Sequence, residues 1–345
     1  MGAVEAPRHG EIMRIPGFLA ALLLLGAPAA ARAEADTIRI AQPYGLGYLP
    51  SYVATDLHLF EKHAKAAGLG EIKVTLTRMA SGPATSDLIL AGDADIGMGG
   101  FGPAFVMWDK TRGTQKVRGI MPLSSQTIFM YSTDPRIQSL KDFREGDKIA
   151  ISAIKVTDQA IVLQMAATKE WGWDQRFRLD PLTVSMSNPD GMTAILTGSS
   201  DVRNHFSIIP FSQMEAESGK AHLVMTSESY LTPKASGVVM YASARFHDPN
   251  PKLYAATVAA FEEAIGIIQR DPHLATEIYV AREPQKREPA WIEAMIRNPD
   301  QITYSSTPRG TKEHADFMHA IGTLKTKPES WKDLFWENEW GKDGS

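Results

Sequence analysis

The sequence has no cysteine at any of its 345 positions. This absence excludes disulfide bonds, thiolate nucleophiles, cysteine-based metal sites and lipid attachment through a cysteine thioether. The nine histidines are scattered, and none stands in an HExxH motif. Isolated histidines are more often solvated or singly hydrogen-bonded than metal ligands. The sequence therefore predicts no metal site and no cofactor.

Motifs of catalysis and nucleotide binding are missing as well. The sequence contains neither a GxxxxGK[ST] phosphate-binding loop nor a GxSxG nucleophile turn. The formal charge of −4 indicates no basic face for nucleic acid or anionic lipid. Apolar residues make up 43% and charged residues 22%, which is typical of a soluble globular protein. We therefore expect a binding protein, not an enzyme, without a nucleic-acid partner.

The apolar run at residues 18–25 is far shorter than the roughly 20 residues that a membrane-spanning helix needs. Small residues follow it, and Ala31-Arg32-Ala33 has the small-x-small form that signal peptidase cleaves. We expect residues 1–33 to be a signal peptide cleaved near Ala33, which places the mature protein in the periplasm. A start at Met13 would give a more typical basic leader. The alternative is a weak membrane anchor.

The remaining sequence alternates strand-like and helix-like segments. Period-two runs rich in β-branched residues predict strands, and apolar residues three or four apart predict helices. Strands are predicted at residues 36–42, 71–79, 94–98, 148–152, 182–185, 201–205 and 222–226, and helices near 51–68, 83–91, 157–170, 188–196 and 211–217. This alternation predicts an α/β protein with a mostly parallel sheet and helices on both faces. The last hundred residues are predicted to be mainly helical.

Residues 80–100, ASGPATSDLILAGDADIGMGG, combine a polar turn, a helix and a strand. Ser81 is typical of a helix N-cap, and Pro83 suits the first turn because no N–H is needed there. Capping alone explains this turn. A helix N-terminus preceded by glycine also leaves N–H groups free and carries a partial positive charge, which favours an anionic ligand. Both interpretations stay open, with Ser81 and Gly82 as candidate ligand contacts.

The segment YGLGY, residues 44–48, is the first loop after a predicted strand. Ligands of α/β sheets bind at the carboxyl ends of the strands, so this loop should reach the same crevice as the SGP turn. Its glycines allow close approach of the backbone, and its tyrosines offer rings and hydroxyl groups. Phe101, after the third predicted strand, could line the same crevice. The alternatives are a plain turn for the YGLGY loop and a position in the apolar core for Phe101. The candidate contacts here are Gln42, Tyr44, Gly47, Tyr48 and Phe101.

Two segments of the second series are further candidates. Lys155 could neutralise an anion, and Thr157 could cap the helix that follows. In DVRNHF, alternation along a strand places Arg203 and His205 on one face and Asn204 on the other, so that one face could meet the ligand. The alternatives are a solvated lysine and purely structural hydrogen bonds for the three residues of DVRNHF.

These segments together resemble a known family. The Gly-rich loop, VATDLHLFEK, SGP and AGDADIG are similar to substrate-binding proteins of nitrate, sulfonate and taurine ABC importers, a family that includes binders of thiamine-type pyrimidines. SLKDFREGDKIAIS resembles the family's entry to the second lobe, and TAILTGSSDV resembles its AL..G..DA element. The likeness covers nearly the whole mature chain. It departs from the family where DVRNH replaces the usual acidic-alanine pair.

The resemblance implies a two-lobed periplasmic binding protein of type II-like α/β fold, with doubly wound mixed sheets and a ligand cleft between the lobes. We expect residues 34–126 plus 236–345 to form lobe I and residues 127–235 to form lobe II. The family pattern also places the serine of the SG turn, Ser81, in contact with the ligand.

The function that the resemblance implies is solute capture for an ABC importer. The expected ligand is small and anionic, such as a sulfonate, nitrate or a carboxylate. The expected partner is a membrane permease with its cytoplasmic ATPase, and the expected state is a monomer. The alternatives are a pyrimidine-biosynthesis-type enzyme, which relies on a cysteine-rich motif absent here, and a secreted hydrolase, for which no nucleophile is found.

Overall fold

The computed structural model describes residues 1–2, 33–283 and 287–345. The expected signal peptide, residues 1–33, therefore lies almost wholly outside the described residues. The chain divides into two units, Met1–Ala33 and Glu34–Ser345, and the helices and strands given below for the described residues belong to the second. None of the helices in the described chain has the length and apolar content to cross a membrane.

The strands of the described chain alternate with helices over most of its length. They are β1 (Thr37–Gln42), β2 (Lys73–Arg78), β3 (Ile96–Gly100), β4 (Arg118–Gln126), β5 (Phe129–Ser132), β6 (Ile149–Ile151), β7 (Thr183–Ser185), β8 (Asn204–Ser207), β9 (His222–Thr226), β10 (Val238–Ala242) and β11 (Ile302–Tyr304).

The strands form two sheets, in the orders β11-β4-β10-β3-β1-β2 and β7-β6-β8-β5-β9. In the first sheet, β1 is parallel to β2 and β3, whereas β10 runs antiparallel to both β3 and β4. In the second, β6 is parallel to β7 and β8, and β5 is antiparallel to β8 and β9. Both sheets are mixed, as the family resemblance implied. The strands predicted from the alternation run in one direction within each sheet, and the reversed strands β5, β10 and β11 make the sheets mixed.

The helices cover the faces of the sheets and fill most of the last hundred residues, as predicted. They are α1 (Leu49–Asp56), α2 (Leu59–Ala66), α3 (Gly82–Ala91), α4 (Phe101–Thr111), α5 (Asp158–Trp171), α6 (Asn188–Thr197), α7 (Phe211–Glu217), α8 (Ala244–His247), α9 (Pro251–Arg270), α10 (Pro272–Arg282), α11 (Pro289–Ile296) and α12 (Thr311–Ala320).

The first sheet separates two apolar layers because successive side chains of a strand point to opposite faces. Ile40 and Met240 pack with Phe261 of α9 on one face. On the other face, Val239 and Tyr241 lie in a separate cluster with α4 and α12. Both faces of the sheet are therefore covered. The carboxyl ends of the parallel strands lie at one edge of the sheet, and the loops and helix starts at this edge can form a binding site.

Candidate functional site

A cleft lies where helices from both sheets begin, and it encloses about 650 Å³ of atom-free space, including the solvent at its mouth. Small apolar residues and neutral polar residues form most of its walls. The lining residues are Pro43, Tyr48, Gly82, Gly100, Phe101, Pro103, Gln126, Ile128, Ser152, Thr157, Asp158, Gln159, Asn188, Ile208, Leu231, Ala235, Ser236, Gly237 and Val238.

Four helices of the described chain begin at this cleft, two from each sheet. Gly82 and Phe101 are the first residues of α3 and α4. Asp158 and Asn188 are the first residues of α5 and α6. The first N–H groups of a helix have no partner within it and carry a partial positive charge. The cleft therefore gathers positive helix ends, while its described lining residues include no lysine, arginine or histidine.

Three of these helices are capped by the residue that precedes them. The hydroxyl oxygens of Ser81, Thr157 and Ser187 each accept a bond from the N–H three residues later, at 3.3–3.4 Å. Such caps satisfy one of the free donors of the first turn and stabilise a helix by about 1 kcal/mol. The predicted capping roles of Ser81 and Thr157 agree with this geometry.

The fourth helix, α4, is capped from the opposite wall. It follows Gly100, whose lack of a side chain leaves its first turn uncapped locally. The N–H of Gly102 donates to Oδ1 of Asp158, 2.9 Å away at the start of α5. A carboxylate from a helix of the second sheet thus binds the N-terminus of a helix of the first.

Burial gives the cleft unusual titration properties. Burial raises the pKa of the Asp158 carboxyl to about 7, although the N–H groups of Gly102 and Phe101 act in the opposite direction. Burial also raises the pKa of the Tyr48 hydroxyl well above its usual range, and the nearby charge of Asp158 adds to that effect. Asp158 therefore changes its charge near neutral pH, whereas Tyr48 stays neutral.

A chain of neutral hydrogen bonds crosses one wall of the cleft. Oε1 of Gln159 accepts from the hydroxyl of Ser152 at 2.6 Å. Nε2 of Gln159 donates to Oδ1 of Asn188 at 3.2 Å and to the carbonyl of Phe206 at 3.0 Å. These bonds fix the amide groups of two helix starts in one orientation, so they present defined donors and acceptors to a bound molecule.

Phe101 gives the cleft an apolar wall. Its ring stacks on the buried imidazole of His314, with the ring centroids 3.9 Å apart. Neither ring nitrogen of His314 has a hydrogen-bond partner among the described residues. Burial lowers the pKa of His314 to about 3, so the ring is neutral and serves as an aromatic support for Phe101.

The structure brings together four of the residues selected from the sequence. Tyr48, Gly82, Phe101 and Thr157 all line the cleft, and they come from both sheets. Gly82 leaves no room for a side chain, since a Cβ there would lie 2.7 Å from Cγ of Pro103. Whether these four residues contact a ligand remains a prediction.

Four other candidates of the first sheet lie near the cleft without lining it. Gln42 is fully buried and accepts a hydrogen bond from Ser51. Ser81 lies behind Gly82 as the cap of α3. Tyr44 stacks against the guanidinium of Arg78, 5.1 Å from its ring centre, and packs against an apolar cluster of the second sheet. Gly47 contributes its carbonyl to the hydroxyl of Ser124, 3.2 Å away.

The close approach expected at the glycines of the YGLGY loop is made by the protein itself. A Cβ at Gly45 would lie 2.7 Å from Cδ1 of Ile208, in the segment after β8. The N–H of Leu46 donates to the carbonyl of Ile209 at 3.2 Å. The loop therefore joins the two sheets beside the cleft, and only its last residue, Tyr48, reaches the wall.

The candidates of the DVRNHF segment lie away from the cleft, which corrects the expected geometry. The predicted strand 201–205 begins at Asn204, and each residue of β8 is buried, so no face alternates toward a crevice. Arg203 is exposed and donates to the carbonyl of Ser200 at 2.8 Å. Asn204 donates to the carbonyl of Lys148 at 2.9 Å.

His205 and Lys155 also do not line the cleft. His205 is fully buried, and its Nδ1 lies 2.5 Å from Oε1 of Glu215 inside the second sheet's core. Lys155 is exposed, and its backbone has a positive φ of 71°. The expectation that these two side chains meet a bound ligand does not fit their positions.

Several lining residues were not selected from the sequence. Asp158 and Gln159 directly follow Thr157 in IKVTDQ, and the helix start predicted there places their side chains beside the cap. Asn188 follows Ser187, another cap. Gln126 and Ser236 come from strand ends and loops far apart in the chain, and no local pattern marks them. Among the described residues, no group of three His, Asp or Glu side chains is arranged to hold a metal ion.

Comparison with curated proteins gave no match. Among solved structures, the alkanesulfonate-binding protein SsuA from Xanthomonas axonopodis pv. citri, bound to MOPS, has a TM-score of 0.69 at 16% identity, covering 88% of this chain and 99% of that chain. The nitrate-binding protein NrtA from Synechocystis PCC 6803 has a TM-score of 0.69 at 16% identity, covering 89% of this chain and 88% of that chain.

The periplasmic aliphatic sulphonate binding protein SsuA from Escherichia coli has a TM-score of 0.63 at 15% identity, covering 90% of this chain and 100% of that chain. At such identities the likeness establishes the fold, that of the periplasmic binding proteins. The family model described as NMT1/THI5 like matches residues 48–275, which is well over half of the chain. The chain therefore belongs to the NMT1/THI5-like family.

Proposed function

We propose that this protein is the extracytoplasmic solute-binding component of an ABC importer. The observation that carries the proposal is the convergence of four helix N-termini, two from each sheet, on one cleft. A molecule bound there contacts both sheets at once, so its binding energy favours the form in which they are close together. The protein would then deliver the molecule to a membrane permease that works with a cytoplasmic ATPase.

The ligand class that we propose is a small anion: a sulfonate, nitrate or a carboxylate. Free N–H groups and positive helix ends favour an anionic group without any cationic side chain. The side-chain amide nitrogen of Asn188 can donate a further hydrogen bond to such an anion, whereas both N–H groups of Gln159 are already donated to Asn188 and to the carbonyl of Phe206. The named structural relatives that bind an alkanesulfonate and nitrate are consistent with this class.

We propose that both lobes, each built on one of the two sheets, supply ligand contacts. Residues 34–126 plus 236–345 would form lobe I, which supplies Tyr48, Gly82 and Phe101. Residues 127–235 would form lobe II, which supplies Thr157, Asp158, Gln159 and Asn188. The bound molecule would leave unchanged, and the protein would act as an exported monomer.

A thermal-shift screen of the mature protein over sulfonates, nitrate, carboxylates and pyrimidines tests the proposal. A ligand present at about 100 times its dissociation constant adds about 2.7 kcal/mol to the free energy of unfolding. The control is Asp201→Asn, because Asp201 is exposed and pairs with Lys148 away from the cleft. Mass spectrometry of the recovered ligand adds a second criterion. A screen without any stabilising compound, or a ligand recovered with altered mass, would contradict the proposal.

A further inference from the structure

The cap of α4 is unusual because it comes from the opposite wall of the cleft. α3, α5 and α6 each have a serine or threonine cap directly before them. α4 has glycine at that position, and its Gly102 N–H binds the carboxyl group of Asp158. This bond can exist only while the start of α5 lies against the start of α4.

Two glycines, one directly before α4 and one within its first turn, leave the space that this contact needs. A Cβ at Gly100 would overlap both carboxyl oxygens of Asp158, and a Cβ at Gly102 would overlap the carbonyl oxygen of Val156. The segment GGFG therefore leaves space for residues 156–158 of the opposite wall. Any larger residue at Gly100 or Gly102 would push the two walls apart.

Two further contacts join helices of the two halves in the same structure. Nε1 of Trp291 on α11 donates to Oε1 of Glu217 on α7 at 2.8 Å. The ring of Trp173, which follows α5, meets the ring of Phe317 on α12 edge to face at a centroid distance of 6.3 Å. The partly buried bond from Asp158 is thus one of a set of contacts that join the two halves.

We propose that Asp158 is a proton-dependent latch, whose carboxyl group holds the cleft closed in the ligand-free protein by capping α4 across it. The proposal extends the proposed function, since it assumes that the two sheets move apart to admit a ligand. It concerns the protein without ligand, so it does not depend on which molecule is carried.

The dependence on protons follows from the surroundings of Asp158. Its neighbours on the cleft wall include no cationic side chain among the described residues, and the titratable group closest to it there is the hydroxyl of Tyr48. Lys155, in the same loop, is exposed to solvent, and no titratable side chain of α4 reaches the contact. The carboxylate is therefore compensated only by backbone N–H groups.

The sign follows from the raised pKa of Asp158, about 7 in the closed cleft. An open cleft exposes this carboxyl group to water and returns its pKa toward the ordinary value of about 4. Closure of the cleft then takes up a proton. The latch is therefore fully effective below the open-state pKa of about 4 and weakens as the pH rises to about 7. Between these values, the ratio of closed to open protein falls by at most about tenfold per pH unit.

The absence of native cysteine makes the test direct, because introduced cysteines are the only labelling sites. Glu71→Cys and Glu145→Cys replace exposed residues beside the first and the second sheet. Spin labels on this pair report the distance between the sheets by pulsed electron resonance, in ligand-free protein at pH 5.5 and pH 8.5. The unsubstituted cleft should give mostly the short distance at pH 5.5 and a larger long-distance fraction at pH 8.5.

Three variants separate the latch from general effects. Asp158→Asn keeps an oxygen for the Gly102 N–H without a charge, so the short distance should persist at both pH values. Asp158→Ala removes the cap and should give the long distance at both. Asp190→Asn is the matched control, because Asp190 is also an acid in a helix first turn but is exposed and bonded to Ser187. It should behave like the unsubstituted protein.

Equal distances in the unsubstituted protein and in Asp158→Ala at both pH values would overturn the latch. A distance in the unsubstituted protein that does not respond to pH would overturn its dependence on protons. Circular dichroism of each variant verifies that it is folded. A protein that passes this test and binds no compound in the thermal-shift screen would keep the latch and lose the proposed function, so the two failures are distinguishable.

Discussion

The imidazole of His314 lies almost parallel to the ring of Phe101, with the ring planes 28° apart. His314 belongs to α12, more than 200 residues after Phe101 in the chain. The last part of the sequence therefore supports the wall of a cleft that is built mainly from earlier segments. Because the imidazole is buried without a hydrogen-bond partner among the described residues, its charge state is linked to folding.

We expect His314→Phe to flatten the pH dependence of unfolding below neutral pH. The pKa of His314 is lowered to about 3 in the folded protein, whereas an unfolded histidine titrates near 6.5. Between these two pKa values only the unfolded protein binds the proton. The free energy of unfolding is therefore at its full value above about pH 6.5 and decreases by up to about 1.4 kcal/mol per pH unit as the pH falls toward 3. Urea unfolding between pH 4.5 and 7.5 measures the slope. His319→Phe, on the same helix but partly exposed, should keep the original slope.

We expect Gln159→Leu to weaken both stability and ligand binding. The change leaves the hydroxyl of Ser152 and the amide of Asn188 without their bonds to Gln159, which costs about 1–3 kcal/mol. The matched control is Gln164→Leu on the same helix, since Gln164 is equally buried and bonds to Asp180 away from the cleft. Both variants should unfold more easily, and only Gln159→Leu should bind less tightly by calorimetry. If the two variants bound the ligand equally tightly, the residues around Gln159 would not belong to the binding site.

Ser81→Gly separates the two roles of the SG turn. Glycine is a tolerable cap, so the free energy of unfolding of the ligand-free protein should drop by only a few tenths of a kcal/mol. If the hydroxyl also binds the ligand, the loss of affinity should be about 0.5–1.5 kcal/mol for a neutral bond or about 1.5–3 for a charged one. The family resemblance, which puts Ser81 in contact with the ligand, predicts near-normal stability with clearly weaker binding, although Ser81 does not line the cleft in the ligand-free structure. An unchanged dissociation constant would restrict Ser81 to the cap of α3 that the structure contains.

We expect the exported protein to begin at or close to Glu34, which N-terminal sequencing of periplasmic material can establish. The carboxylate of Glu34 accepts bonds from the N–H groups of Lys252 and Leu253, at 3.1 and 2.7 Å, in the first turn of α9. Glu34→Ala should therefore cost about 1 kcal/mol of stability, as the loss of a helix cap does. Asp36→Ala, at a neighbouring exposed position, should cost much less. An intact N-terminus in the periplasm would contradict the expected cleavage.

The sequence predicts those parts of the fold that local chemistry determines. α7 and β9 have the predicted bounds, because a polar turn or a change of period marks each end. Ser81 and Thr157 cap the predicted helices. The helix predicted after the first loop is divided at His58, where φ is 52°. Histidine is an uncommon residue at positive φ, so no pattern announced that break.

The site was less predictable because its residues meet only in the folded chain. Asp158 and Gly102 are 56 positions apart and lie in different helices, α5 and α4. Each residue has an ordinary local explanation, an acid in a helix first turn and a glycine near a helix start. For His205, the residue type suggested a ligand contact, whereas burial beside Glu215 determines its role. Long-range packing decided both cases.

The position of β10 has a consequence for the order of folding. Val238–Ala242 lies in the centre of the first sheet, between β3 and β4, although the chain reaches it only after completing the second sheet. A chain that ends before residue 238 exposes the edges of β3 and β4, and open strand edges promote aggregation. The first sheet therefore cannot close during early synthesis. Late closure through such long-range pairing keeps a nascent chain unfolded for longer, which would favour the export across a membrane that we propose for this protein.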